Sequence, residues 1–302
     1  MSDQRRGLVL GFLAYLLWGA FPLYWPLLKP SGPIEILAHR IVWSLLVIGL
    51  LILILRRTAA LRAVLRSRRT TLLLLVAAAV ITANWGTYIY AVNSDRVVEG
   101  SLGYFINPLV TVLLGVLVLG ERLRPVQWAA LGVGFLAVAV LTVDYGRPPV
   151  IALVLAVSFG TYGLAKKSAG VGAIESLALE TAVIAPVALS YLVWLGSTGR
   201  AHFAGEGLGH VALLVTSGVV TAVPLLCFSA AATRVPMTSL GLLQYLTPVL
   251  QFALGITVLG EHMPAGRWIG FGLVWLALVA FTVDALRHRH RQLALAAESC
   301  AL

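Results

Sequence analysis

Four ionisable side chains stand inside long apolar stretches of the sequence: Glu35, His39, Arg40 and Glu180. A charge within a membrane span costs roughly 3 kcal/mol or more and usually faces an aqueous cavity. Glu35 and His39 are four residues apart, so they share a helix face and can pair. Arg40 has two readings. It snorkels to the outer headgroups with Glu35 as its neutraliser, or it lines a cavity. Glu180 is too short to snorkel as Lys and Arg do. It is expected to line the cavity near a gate and to bind a proton or a cationic group, with a structural hydrogen bond to a neighbouring helix as the alternative. These four are the candidates for gating or proton coupling.

A second set is polar and aromatic. Tyr104 and Asn107 stand beside Pro108, and Gln244, Tyr245 and Thr247 beside Pro248. Proline removes a helix hydrogen bond and frees a carbonyl, which a membrane protein tolerates where the backbone lines a cavity. Pro108 and Pro248 are therefore expected to kink their helices. Asn84, Trp85, Tyr104, Asn107, Gln244 and Tyr245 are the candidates for binding a solute by hydrogen bonds and ring stacking. The competing reading is a set of interhelical hydrogen bonds holding the kinks. No catalytic residue, metal site or cofactor is expected. Cys227 and Cys300 lie in different settings and give neither a disulfide framework nor metal-ligand spacing.

The elements that must position these groups follow from composition. The 302 residues are 60% apolar and only 11% charged, whereas a soluble domain is about a quarter charged. A soluble enzyme, a nucleic-acid binder and a disordered chain are poor fits. The expected class is an all-α polytopic membrane protein. Ten apolar runs are long enough to span a bilayer: about 7–28, 34–55, 70–92, 101–119, 126–143, 149–165, 176–196, 209–230, 237–259 and 267–286. With the N-terminus inside, 16 of the 22 Lys and Arg fall on the inner side and 5 on the outer, which supports cytoplasmic termini. The net charge of +10 is thus read as orientation rather than as nucleic-acid binding. Residues 287–302, with His288 and His290, form a basic cytoplasmic tail. Trp18, Trp25, Trp194 and Trp268, near span ends, read as interfacial anchors. Gly7 and Gly11, like Gly266 and Gly270, read as helix packing.

The chain also contains itself twice. A shift of 140 places Pro108 on Pro248, Val118-Leu119-Gly120-Glu121 on Val258-Leu259-Gly260-Glu261, Trp128 on Trp268 and Thr142-Val143-Asp144 on Thr282-Val283-Asp284. From Pro108 to Asp144 there are 14 identities in 37 positions. The same shift puts Glu35 on Glu175 and Arg40 on Glu180. The expected halves are 1–145 and 146–286, with five spans each. Five is odd, so the halves are inverted, an architecture that recurs in transporters. Glu121 and Glu261 read as helix-end contacts.

The order and wording of several segments resemble the EamA family of the drug/metabolite transporter superfamily, and within it the RarD subfamily. They are Glu35-Ile36-Leu37-Ala38-His39-Arg40, Asn84-Trp85, Ala91-Val92-Asn93, Ser101-Leu102-Gly103-Tyr104-Phe105-Ile106-Asn107-Pro108-Leu109-Val110, Val223-Pro224-Leu225-Leu226-Cys227-Phe228, Ala230-Ala231-Ala232-Thr233-Arg234 and Gln244-Tyr245. The likeness runs from about Gly7 to Asp284. It implies a ten-span permease of the bacterial inner membrane that moves small organic solutes outward, in a subfamily linked to chloramphenicol handling. Expected partners are a small-molecule substrate and membrane lipid, with a homodimer left open and no nucleic acid. The rival classes are an intramembrane lipid-modifying enzyme and a non-transporting scaffold. Neither requires inverted symmetry, and nothing resembles a nucleotide-binding loop.

Overall fold

The computed structural model describes residues 3–120, 123–232, 234–235 and 243–301, and every regular element among them is helical. In chain order, α1 (Asp3–Gly19) and the short α2 (Phe21–Tyr24) lead into a 3-10 turn, Trp25–Leu28. There follow α3 (Pro33–Ile54), α4 (Thr58–Arg66), α5 (Arg68–Asn93), α6 (Val97–Leu119), α7 (Pro125–Tyr145) and α8 (Val150–Ala169). The chain continues through α9 (Ala173–Ser197), α10 (Leu208–Ala232), α11 (Leu246–Thr257) and α12 (Ala265–Ala301). Helix is the natural outcome for such apolar runs, because it satisfies the backbone hydrogen bonds within the segment.

Seven of these helices, α3, α5, α6, α7, α9, α10 and α12, are long and apolar enough to cross a bilayer. The first expected run is bent by 42° between Gly19 and Phe21, and counting it as one span gives eight. The sixth and ninth runs are the shorter apolar helices Val150–Lys166 and Leu246–Thr257. Proline accounts for the first bend: Pro22 and Pro26 cannot donate to a continuous ladder. In the ninth run, residues 244–245 form a turn, and α11 starts after it. Pro248 therefore stands in the first turn of α11, where a missing N–H breaks no bond, and not in a helix interior as expected. Pro108 does lie inside α6.

The repeated Leu-Gly sequence is a helix stop. Gly120 closes α6 at φ +67, and Gly260 has the same φ after α11. Glycine adopts this left-handed conformation without a Cβ penalty. Glu261 then turns back, and its carboxylate accepts the amides of Val97 and of Val98 (3.0 Å) at the start of α6. A negative charge is favourable at a helix N-terminus. Burial pushes the Glu261 carboxyl above its ordinary range, while the two amides pull the other way. Its counterpart Glu121 lies outside the described residues.

The main helix pairings are α6 with α8, α5 with α8, α1 with α10, α3 with α9, α3 with α10, α5 with α9, α1 with α11, α6 with α11, and α7 with α12. Exchange of α1, α3, α5, α6 and α7 for α8, α9, α10, α11 and α12 maps each of these pairings onto itself or onto another in the set. The α7–α12 pair is tied at both ends by repeat-matched aspartates. Arg267 Nε donates to Asp144 (3.1 Å) and Arg124 Nε to Asp284 (2.8 Å). Gly266 and Gly270 of α12 lie directly against Asp144 and Leu141. Gly218 brings α10 onto α3 so closely that a Cβ there would stand 2.5 Å from the Trp43 backbone. The two largest apolar clusters fill much of the interior. One joins Phe105, Leu109, Leu141, Phe252 and Phe271, and the other joins Trp25, Ile36, Tyr88, Leu155 and Leu214.

Candidate functional site

Arg40 is the eighth residue of α3, about 10 Å along the helix from Pro33 at 1.5 Å per residue, and it is 3% exposed. It does not snorkel, and Glu35 does not neutralise it. Its guanidinium lies over the ring of Trp85 from α5 at 4.1 Å, with Trp25 at 5.0 Å and Phe21 at 5.6 Å. Its Nε donates to Thr221 Oγ1 of α10 at 2.9 Å. The bend after Gly19 is what turns Phe21 and Trp25 inward, and Trp25 is fully buried. The expectation that Trp25 anchors at the interface is corrected by that bend. Trp194 and Trp268 are about half exposed.

Glu180 has the opposite surroundings. It is 2% exposed and accepts from Lys166 Nζ (3.1 Å), Tyr162 OH (3.2 Å) and Ser176 Oγ. Lys166 also donates to Ser176. The cation that Glu180 was expected to bind is thus present within the chain. The repeat makes the comparison sharp. The 140 shift that matches Arg40 to Glu180 puts Lys166 on Pro26, next to Trp25. One half supplies its buried charge with a counter-ion from the helix before it. The other supplies aromatic rings.

Glu35 and His39 do not hydrogen-bond to each other. Glu35 accepts from the His202 amide (2.8 Å) and pairs with His202 Nδ1 (2.8 Å), while His39 stacks on Phe203 at 4.8 Å. Its repeat equivalent, Glu175, accepts from Arg57 Nη1 at 2.9 Å. Each carboxylate stands in the first turn of its helix, α3 or α9, and fastens the connection that follows the other of the two. Ser31 and His210 add a further contact, 3.0 Å, beside the Glu35 pair.

The polar candidates divide. Asn84 is held at both ends of its amide. Its Nδ2 donates to Leu155 O (3.1 Å) and Ser158 Oγ (3.0 Å), and its Oδ1 accepts from Tyr104 OH (3.3 Å). This joins α5, α6 and α8. Trp85 stacks on the Arg40 guanidinium, and Tyr104 packs against the cluster of Phe21, Trp25 and Tyr88 beside it. Asn107 is buried and accepts from Thr111 one turn on, at 3.4 Å. Tyr245 packs on the cluster around Phe105 and reaches Thr282 at 3.5 Å. Gln244 is half-buried at the turn before α11, and no described contact joins it or Asn107 to Arg40. Thr247 and Gln251 instead bind the backbone of α1, at Tyr15 O (2.8 Å) and Trp18 O (3.1 Å).

Sequence reasoning missed Phe21, Trp25, Tyr88, Thr221, Lys166 and His202 as parts of these arrangements. Only Lys166 carried a usable signal. It stands 14 residues before the buried Glu180, near the end of the preceding apolar run.

The EamA-like transporter family model matches residues 5–143 and again 148–283. The chain is 58% identical to Protein RarD of Streptomyces exfoliatus over 290 residues, 96% of this chain and 92% of that one. It is 42% identical to an "Uncharacterized transporter" of Vibrio cholerae serotype O1, covering 96% of both chains. A solved crystal structure shares the fold at a TM-score of 0.59 and 20% identity, covering 93% of this chain and 98% of the other.

Proposed function

The chain belongs to the EamA-like transporter family, and from that premise we propose that it is a secondary permease moving a small organic solute across the bacterial inner membrane by alternating access. In this reading ten spans form two inverted halves, and both termini are cytoplasmic. The observation that carries it is the pair of repeat-equivalent latches, Glu35–His202 and Glu175–Arg57. Inversion puts them at opposite faces of the membrane. Opening one while the other holds exposes the interior to one side at a time, which is the movement inverted repeats provide. Arg40, Trp85 and Tyr104 line the central site, with Asn84 fixing Tyr104. Asn107, Pro108, Gln244, Tyr245 and Pro248 belong to the α6–α11 seam that moves around it.

Glu180 is the proton-coupling candidate. Protonation would release Lys166 and loosen the inner side. Neither a lipid-modifying enzyme nor a scaffold has a use for two inverted latches.

Proteoliposomes loaded with a mixed pool of amino acids, nucleosides and aromatic antibiotics test this. Selective loss of one class is expected, faster with a pH gradient, and the gradient effect is expected to vanish in Glu180→Gln. Retention of the whole pool by folded protein would count against transport. Gradient dependence unchanged in Glu180→Gln would remove that residue from the coupling.

A further inference from the structure

We propose that the Arg40 pocket binds the carboxylate of a monoanionic solute with an apolar or aromatic body. This rests on the transport reading, which is what brings a solute to the interior. Arg40 is a buried cation with no anion. Among the described residues no carboxylate lies within ion-pair distance of it, and its one hydrogen bond is from Nε to Thr221. The N–H groups on its two Nη atoms remain for a ligand. Two more donors beside it are unused. Trp25 Nε1 and Tyr88 OH are buried without a hydrogen-bond partner, on side chains 0% and 2% exposed. Trp25 is one of the rings against the guanidinium, and Tyr88 belongs to the same buried cluster as Phe21 and Trp25 and packs on Tyr104 at 5.5 Å. Buried donors are nearly always satisfied, so a set of unused ones around an unpaired cation points to an absent acceptor.

The chemistry of that acceptor follows from the count of charges and atoms. A carboxylate offers two oxygens with about four lone-pair sites. It can take the guanidinium fork on both oxygens and accept from the indole and the phenol as well. Its single negative charge balances the single positive one. A phosphomonoester carries nearly two negative charges at neutral pH, and no second cation among the described residues stands over these rings. The walls of Phe21, Trp25, Trp85 and Tyr104 favour a flat or apolar body over a sugar. The equivalent position in the other half carries Glu180 with Lys166 already in place. Of this repeat-matched pair, Arg40 alone has no counter-ion among the described residues.

The test uses the full-length protein in detergent and in proteoliposomes, with acetate, benzoate and indole-3-acetate, their neutral amides, phenyl phosphate and chloride as probes. In detergent, thermal stabilisation is expected from the two aromatic carboxylates, least from acetate, and not from the amides. Tyr88→Phe removes only an unpartnered hydroxyl, so it is expected to leave the unliganded melting temperature unchanged and raise the half-saturating carboxylate concentration several-fold. Arg40→Lys keeps the charge but loses the fork and is expected to raise it at least tenfold. Equal response to amides and carboxylates, a preference for phenyl phosphate or chloride, or unchanged binding in both variants would overturn the proposal. The proteoliposome arm separates the two readings. Arg40-dependent binding without passage of any carboxylate would keep the site and refute transport. Passage of neutral solutes, unaffected by carboxylates that do not bind, would keep transport and refute the site.

Discussion

Replacing Lys166 with methionine is expected to leave little folded protein. Glu180 is buried to 2% exposure, and Lys166 is the only cation among the described residues paired with it. Tyr162 and Ser176 donate as well, but hydroxyls do not cancel a charge. Removing one partner of a buried pair costs about 3–5 kcal/mol, because the remaining ion stays desolvated. Against a total stability of roughly 5–15 kcal/mol, that is a large share. The double variant Lys166→Met with Glu180→Gln removes both charges and is expected to recover most of the folded yield and melting temperature. The measurement is detergent-solubilised yield by size exclusion with thermal melting of both variants and the parent. If Lys166→Met alone melts like the parent, Glu180 is not held by Lys166.

The second large effect concerns the latches. Glu35→Ala removes the acceptor for the His202 amide and ring, and with it the tether that holds Phe203 on His39. Glu175→Ala frees Arg57. Hydrogen bonds to charged groups are worth about 1.5–3 kcal/mol each. A loss of about 2 kcal/mol on one side shifts a two-state equilibrium by roughly thirtyfold. The two variants are therefore expected to shift it in opposite directions. A reporter at the Arg40 site reads the shift: Thr221→Cys, with Cys227 and Cys300 replaced by serine. Membrane-impermeant thiol reagent is expected to label it faster from outside in Glu35→Ala and faster from inside in Glu175→Ala. Both variants are expected to transport more slowly, since each traps one state. Shifts of the same sign would mean that the two carboxylates do not guard opposite faces.

Much of the helical framework was legible in the sequence because it depends on local chemistry. Apolar runs set the helices, Gly120 and Gly260 set the stops, and the 140-residue repeat matched Asp144 to Asp284, which the structure finds in matching ion pairs. The departures from ten even spans are local too, at Gly19–Phe21 and at 244–245, but proline position alone did not say which run would bend and which would restart. The site was legible only in part. Arg40, Trp85 and Glu180 were recognisable as misfits among apolar neighbours. The long-range partners were not: Thr221 for Arg40, His202 for Glu35 and Arg57 for Glu175 come from segments more than 100 residues away, whereas Lys166 stands 14 residues before Glu180. Trp25 was misread for a related reason. Its distance from the end of a straight span placed it at the interface, whereas the bend carries it into the interior. Asn84 was a fair candidate by residue type, yet three helices use both ends of its amide.

The central claim is that one interior site is reached alternately from both faces. It is tested most directly with Thr221→Cys in the otherwise cysteine-free protein with both latches intact, reconstituted in sealed vesicles. The account predicts labelling by impermeant reagent from the outside, and in separate samples from the inside, in one population of folded protein. Labelling confined to one face would contradict it.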